Sequence, residues 1–292
     1  MSSNVNHKDA FSNYIREAST DGSNRASSYI RAIDLLDAIL TRKATDLLGA
    51  PSLWTLSSPT KVHQLYEFVL EQQRLGESGI FQGETPVSYW RDRFCSAALK
   101  SYKEYLVIHP YEQKLWDIYN DPSLGEDERA AKLLETEPES AEVLLEQPDL
   151  DPNSREGRDV LRTTKTRHGQ GFFRKMILHQ YENRCCITGL EIPQLCIASH
   201  IIRWSVRTDT RMDPRNGLCL SATYDKAFEN HLISLDENYR LLVSPTIREH
   251  YRNDHARELF KKREGQVIWI PHKKSLQPDP GFVEVHRNML VG

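Results

Sequence analysis

No stretch of this 292-residue chain is apolar for long enough to cross a bilayer. Runs such as "LLVSP" and "VIWIP" fall far short of the about 20 residues that a spanning helix needs. The opening "MSSNVNHKDAF" holds no apolar core of a secretory signal, so a soluble, cytoplasmic protein without a membrane partner is expected. A glycine-rich phosphate loop is also missing. Cysteine is scarce and odd in number: Cys95, Cys185, Cys186, Cys196 and Cys219, two of them adjacent. That is a poor disulfide framework and suits a reducing compartment. With no CxxC pair, structural zinc is not expected. A formal net charge of −3 excludes a protein that binds polyanions over its whole surface.

What is present is enough for real cores, with 39% apolar and 9% aromatic residues, in a length that suits two domains. The charge is unevenly placed. Residues 111–154 hold 13 Asp and Glu against 3 Lys and Arg, whereas 155–216 hold 12 Lys and Arg against 6 acids. An acidic block followed by a basic one marks either a polyanion site or a solvated linker beside an ordinary surface.

Helical periodicity dominates residues 8–108. "SYIRAIDLLDAIL" places Tyr29, Ile33, Leu36 and Leu40 on one face, and "SPTKVHQLYEFVLEQQ" repeats this with Val62, Leu65, Tyr66 and Val69 behind a cap at Ser58 or Thr60. "TPVSYWRDRFCSAALKSYKEYLVI" adds Trp90, Phe94, Ala98 and Tyr105. The reading is an α+β protein: a helical accessory domain over 1–108, an acidic connector over 109–158 with short helices at "ERAAKLLETE" and "SAEVLLEQ", and a second domain over 159–292. That domain opens with a helix at "GQGFFRKMILHQYENRC", with Phe173, Ile177 and Tyr181 on one face. "CIASHIIRW" reads as a strand, "SVRTDTRMDPRNG" as a loop, and "LCLSATYDKAFENH" as a turn and helix, which makes a compact ββα unit. "RLLVSP" and "QVIWIP" read as further strands with a helix, "TIREHYRNDHARELFKK", between them.

The ββα residues carry chemistry. Hydrolysis of a phosphodiester near neutral pH needs a base for water, a cation for the developing charge, and something to orient the base. An imidazole at His200 suits the first role, since its ordinary pKa is about 6.5. Asn216 in the returning loop offers an amide to hold the ring. Asp225 and Glu229, four apart, share a helix face and suit a hard divalent cation. Arg203, Arg207, Arg211 and Arg215 around the loop would hold a nucleic-acid backbone. Taken singly, each has an ordinary reading: a core histidine, an Asn-Gly turn, a solvated helix face. His231 has two readings as well, a helix C-terminal residue or a contact to metal or phosphate.

"RHGQGFFRKMILHQYENRCCITGL", "ASHIIRWS", "DPRNGLCLSATYDKAFENHLISLD" and "FVEVHRNML" together resemble the HNH endonucleases of ββα-metal fold, in particular a bacterial restriction-type branch. The resemblance covers about residues 160–292. It implies His200 as general base, Asn216 as the family's middle asparagine, and Asp225 and Glu229 as metal-binding positions. Ser199 stands where many relatives have a metal-binding acid or His, Tyr224 where they often have His, and Arg203 where Pro is common. The implied protein is a DNA-cleaving, restriction or phage-defence nuclease using Mg²⁺, with Mn²⁺ as the other candidate. Its helical domain would serve targeting or assembly, for instance as a homodimer. An RNA-cleaving, toxin-like nuclease and a catalytically silent DNA-binding or assembly protein are the alternatives.

Overall fold

The computed structural model describes residues 6–17, 24–140 and 155–292, and of 155–167 the backbone alone. The chain divides into two compact units, Met1–Lys114 with Glu137–Lys165 and Leu115–Thr136 with Thr166–Gly292. Among the described residues, no helix is long and apolar enough to cross a membrane.

The first unit is built from α1 (Lys8–Glu17), α2 (Arg25–Lys43), α3 (Thr45–Leu48), α4 (Pro59–Leu75), α5 (Val87–Arg91) and the greater part of α6 (Phe94–Asn120). α2 turns Ile33, Leu36 and Leu40 fully inward, with Tyr29 partly buried beside them. Ser58 rather than Thr60 caps α4, its hydroxyl accepting the Lys61 N–H at 3.2 Å. The third expected helix is two: Arg93 takes a positive φ of 64° between α5 and α6. Phe94 is thereby left 38% exposed, while Trp90, Ala98 and Tyr105 enter the core. At the centre, Phe11, Trp54, Tyr102 and Tyr105 pack ring against ring with centroids 5.3–5.9 Å apart.

α6 passes the expected boundary near 108 and runs through Pro110 to Asn120. Proline removes one backbone donor from a helix interior, but burial of Tyr111, Leu115 and Tyr119 holds the turns that follow. "ERAAKLLETE" forms α7 (Glu126–Glu135). "SAEVLLEQ" falls almost wholly on 141–154, outside the described residues.

In the second unit, α8 (Arg155–Gln180) leads to a two-stranded antiparallel sheet, β1 (Cys196–His200) and β2 (Gly217–Ser221), followed at once by α9 (Ala222–Glu229). Cys196 lies opposite Ser221, and His200 opposite Gly217. Phe173, Ile177 and Tyr181 are buried. Gly217 permits a close approach, since a Cβ there would sit 2.2 Å from Ile177 Cδ1. A second hairpin, β3 (Ile233–Leu235) and β4 (Leu241–Val243), follows, and its first strand was not evident from the sequence pattern. Among the described residues, "QVIWIP" makes one bridge, Val267 with Arg240. The helix expected between β4 and that segment is broken: Asn253 accepts the N–H groups of His255 and Ala256 and starts a new helix. α10 (Pro245–Arg248) is thus separate from α11 (Asp254–Ala256) and a π-turn at Arg257–Lys261. α12 (Pro280–Arg287), capped by Asp279, closes the unit against β3.

Candidate active site

β1 ends on His200, whose ring is held on several sides. Phe173 stacks on it with centroids 3.7 Å apart, and Trp204 meets it edge-on at 5.3 Å. Nε2 lies 3.2 Å from the Arg211 carbonyl oxygen. A carbonyl only accepts, so Nε2 carries the proton and Nδ1 keeps the lone pair. Burial lowers the pKa to about 4; the bond to the Arg211 carbonyl opposes this and the Arg211 charge adds to it. The ordinary value expected from sequence is therefore not the value in the fold. At neutral pH the ring is an uncharged acceptor of fixed tautomer.

His200, Ser199, Arg203, Asp225, Glu229 and His231 line one cleft of about 430 Å³. Asp225 is half-buried, and burial raises its carboxyl above the usual range against the opposing hydrogen bond from the Ser199 hydroxyl. Glu229 is exposed, and its pairing with Lys226 at 2.8 Å holds it below the usual range. Arg203 donates to the Glu229 backbone carbonyl, at the end of α9. His231 follows α9 with a positive φ of 54°. Its Nδ1 is buried without a hydrogen-bond partner, and burial, then the Arg203 charge, push its pKa down.

Among the described residues, no three or more His, Cys, Asp or Glu side chains gather as a cation cage. The carboxylate donors that the cleft offers are Asp225 and Glu229. Mg²⁺ is commonly held by one or two carboxylates while water and phosphate oxygens complete its shell, and this donor set fits a cation shared with a phosphate.

Other expected site residues lie elsewhere. Asn216 is fully buried, but it does not hold the His200 ring. Its Oδ1 accepts the Ile202 N–H at 2.7 Å, and its Nδ2 donates to the Ile202 and Thr210 carbonyls at 3.1 and 3.0 Å. It closes the loop that carries Arg211, and the Arg211 carbonyl orients the imidazole in its place. Tyr224 is a core residue, 1% exposed, with its hydroxyl on the Leu259 carbonyl. Arg215 is held by carboxylates: Asp213 at 2.8 Å, Asp127 at 2.7 Å, Glu126 at 3.3 Å and Asp279 at 3.6 Å. It is an internal tie rather than a phosphate contact. Arg211 donates to the Trp204 carbonyl at 2.9 Å with its guanidinium over that indole. Arg207 pairs with Asp209 and remains exposed.

One residue of the cleft wall had no assigned role in the sequence. His286 on α12 stacks on Phe228 at 3.7 Å, places Nε2 3.1 Å from the Phe228 carbonyl, and receives the Ser234 hydroxyl at Nδ1, 2.9 Å away. It braces α9 from beneath, and burial drives its pKa to about 4. The segment "FVEVHRNML" was the available signal, and its histidine was the part to follow.

Residues 185–236 match the HNH endonuclease family. The matched segment includes the whole ββα unit and β3, and with them His200, Asn216, Asp225, Glu229 and His231. Phe173 and His286, which pack against the matched unit, lie outside it. No curated protein matches the chain. The match supports nuclease activity in general, with nucleic acid as the substrate.

Proposed function

We propose that the chain is a divalent-metal-dependent DNA endonuclease, and that the cleft around His200 and Asp225 is where it cuts. The observation that carries this reading is a histidine with an assigned tautomer, neutral at pH 7, lining the same cleft as a half-buried carboxylate. His200 Nδ1 takes a proton from the attacking water, and Nε2 stays on the Arg211 carbonyl. Water adds to phosphorus as the bond to the leaving oxygen breaks, and that oxygen departs as an alkoxide that takes its proton from solvent. Arg203, exposed at the cleft edge, faces the phosphate's charge. A bound hard cation would supply neutralisation of charge on the phosphate and leaving oxygen, and Asp225 would be its principal protein ligand, with Glu229 second.

The restriction or defence role, the Mg²⁺ preference and self-assembly through the helical unit belong to this proposal. They rest on the sequence resemblance and on the division of the chain into two compact units. Parallel incubations with plasmid, modified phage DNA and RNA, each with Mg²⁺, Mn²⁺ or EDTA, test substrate and metal together.

The two carboxylates should separate in a metal titration. Asp225→Ala is expected to raise the Mg²⁺ needed for half-maximal cleavage by about 10-fold or more, on the scale of one lost charged ligand contact. Glu229→Ala, removing an exposed carboxylate already paired with Lys226, should have the smaller effect. Equal titrations for wild type and both variants would move the cation elsewhere.

The pH profile tests the state of His200. Because its folded pKa is about 4, kcat/KM, which reports the free enzyme, should stay flat from pH 8 through 6.5 and fall only toward 4. An acid limb at 6.5 or above would mean a solvated, ordinary imidazole. The same depressed values act on stability. With His200 and His286 both near 4 and an unfolded value of about 6.5, the unfolded chain takes protons first as pH falls. Stability is then lost between 6.5 and 4, so melting should be followed at each pH.

A further inference from the structure

Beside the cleft lies a second recess of about 250 Å³, which shares Ala198, His200 and Trp204 with it and is otherwise lined by Gln170, Phe173, Arg174 and Ile197. Gln170, Phe173 and Arg174 are spaced i, i+3 and i+4 on α8, so they present one helix face. Trp204 also lines the recess. The floor is the outer edge of β1. Ile201 donates its N–H across to the Asn216 carbonyl, on the β2 side, so the alternate residues Cys196 and Ala198 turn their backbone groups outward. Arg174 already uses that edge, donating to the Cys196 carbonyl at 2.7 Å and to Pro193 at 3.1 Å. The Ala198 N–H and C=O lie on the same edge, one donor and one acceptor side by side.

We propose that this recess takes one unstacked nucleobase of the bound strand, adjacent to the phosphate attacked at His200; the idea rests on the nuclease reading of the neighbouring cleft. Three observations favour a base over other occupants. The volume lies just below the about 300–1,000 Å³ of sites for drug-sized ligands, which suits a single ring system. One partly exposed aromatic ring, Trp204, lines it beside the buried Phe173, and bases bind sequence-tolerantly by stacking on such a ring. The polar groups left to a ligand, the Gln170 amide and the Ala198 backbone pair, are of the kind that read a base edge, while Arg174 is tied to the Cys196 and Pro193 carbonyls. The shared wall at His200 and Trp204 puts a base and its own phosphate in neighbouring compartments.

Binding is the direct readout, measured on the full chain with divalent cation withheld so that it does not depend on cleavage. The probes are labelled duplexes with a single bulged nucleotide, whose base is already unstacked, and the same duplexes with an abasic bulge. Wild type should prefer the base-bearing bulge by roughly 10-fold, the scale of one base stacking on an aromatic residue. Gln170→Trp, at an exposed helix position, fills the recess and should abolish the preference, and Gln170→Ala should reduce it. Equal affinity of wild type for the two bulges, or a full preference surviving in Gln170→Trp, overturns the proposal. Plasmid nicking in Mg²⁺, run alongside, reads the nuclease assignment separately. Nicking with no base preference removes the recess alone, whereas base preference without nicking removes the catalytic reading and keeps the recess.

Discussion

His200→Ala should slow single-turnover cleavage by about 10²- to 10⁴-fold, the usual share of general base catalysis, while leaving DNA affinity close to that of wild type. The ring does two things at once. It offers Nδ1 as a base, and it fills the space between Phe173 and Trp204. Removing it therefore also opens a small cavity, costing on the order of 1–3 kcal/mol. The two effects separate when rate and melting temperature are measured on the same preparation. His200→Gln keeps most of the volume and has no basic nitrogen, so it should melt nearer to wild type and remain as slow. A variant that melts low but cuts at the normal rate when cooled would reduce His200 to a packing residue.

Arg215→Ala should act on stability. The Arg215 side chain is 11% exposed and the Asp213 side chain 3%, and they are paired at 2.8 Å. Removing the guanidinium leaves Asp213 a buried carboxylate without its ion partner and releases the ties to Glu126 and Asp127 on α7. Breaking a buried pair typically costs about 3–5 kcal/mol, which for a unit of this size is a fall in Tm of roughly 10 °C. The salt dependence of DNA binding should keep its slope in this variant, since Arg215 faces carboxylates rather than phosphate. Arg207→Ala, at an exposed side chain, should instead shallow that slope by about one unit. Arg215→Ala with normal melting and a shallower slope would restore it to the substrate surface.

Arg215 also shows what a sequence pattern does and does not carry. His200 at a strand end and Asp225 and Glu229 one turn apart on a helix are placed by local periodicity, and that they share a site is what the resemblance of the surrounding segments implies. Arg215 looked the same as Arg207, an arginine in a basic loop; what distinguishes them is α7, whose acidic first turn lies far back in the chain. Asn216 misled for a related reason. An amide next to a histidine suggests a direct bond, whereas the fold uses it to close the loop and lets the Arg211 backbone orient the ring. Backbone carbonyls have no sequence signature. Tyr224 sits one residue before Asp225 on α9, so it projects about 100° away and is buried in the core. The helical unit was readable as helices from its apolar spacing, but not where α6 ends. A proline normally argues for a stop, and the burial of Leu115 and Tyr119 beyond it comes from tertiary packing.

The most direct test of the central claim is the nicking of supercoiled plasmid by the full chain in Mg²⁺, compared with the same mixture in EDTA. The cleft described here predicts nicked circles that accumulate with Mg²⁺ and stop with EDTA. A folded protein that binds the plasmid and leaves it intact with every divalent cation offered, or one whose nicking is indifferent to EDTA, would contradict it.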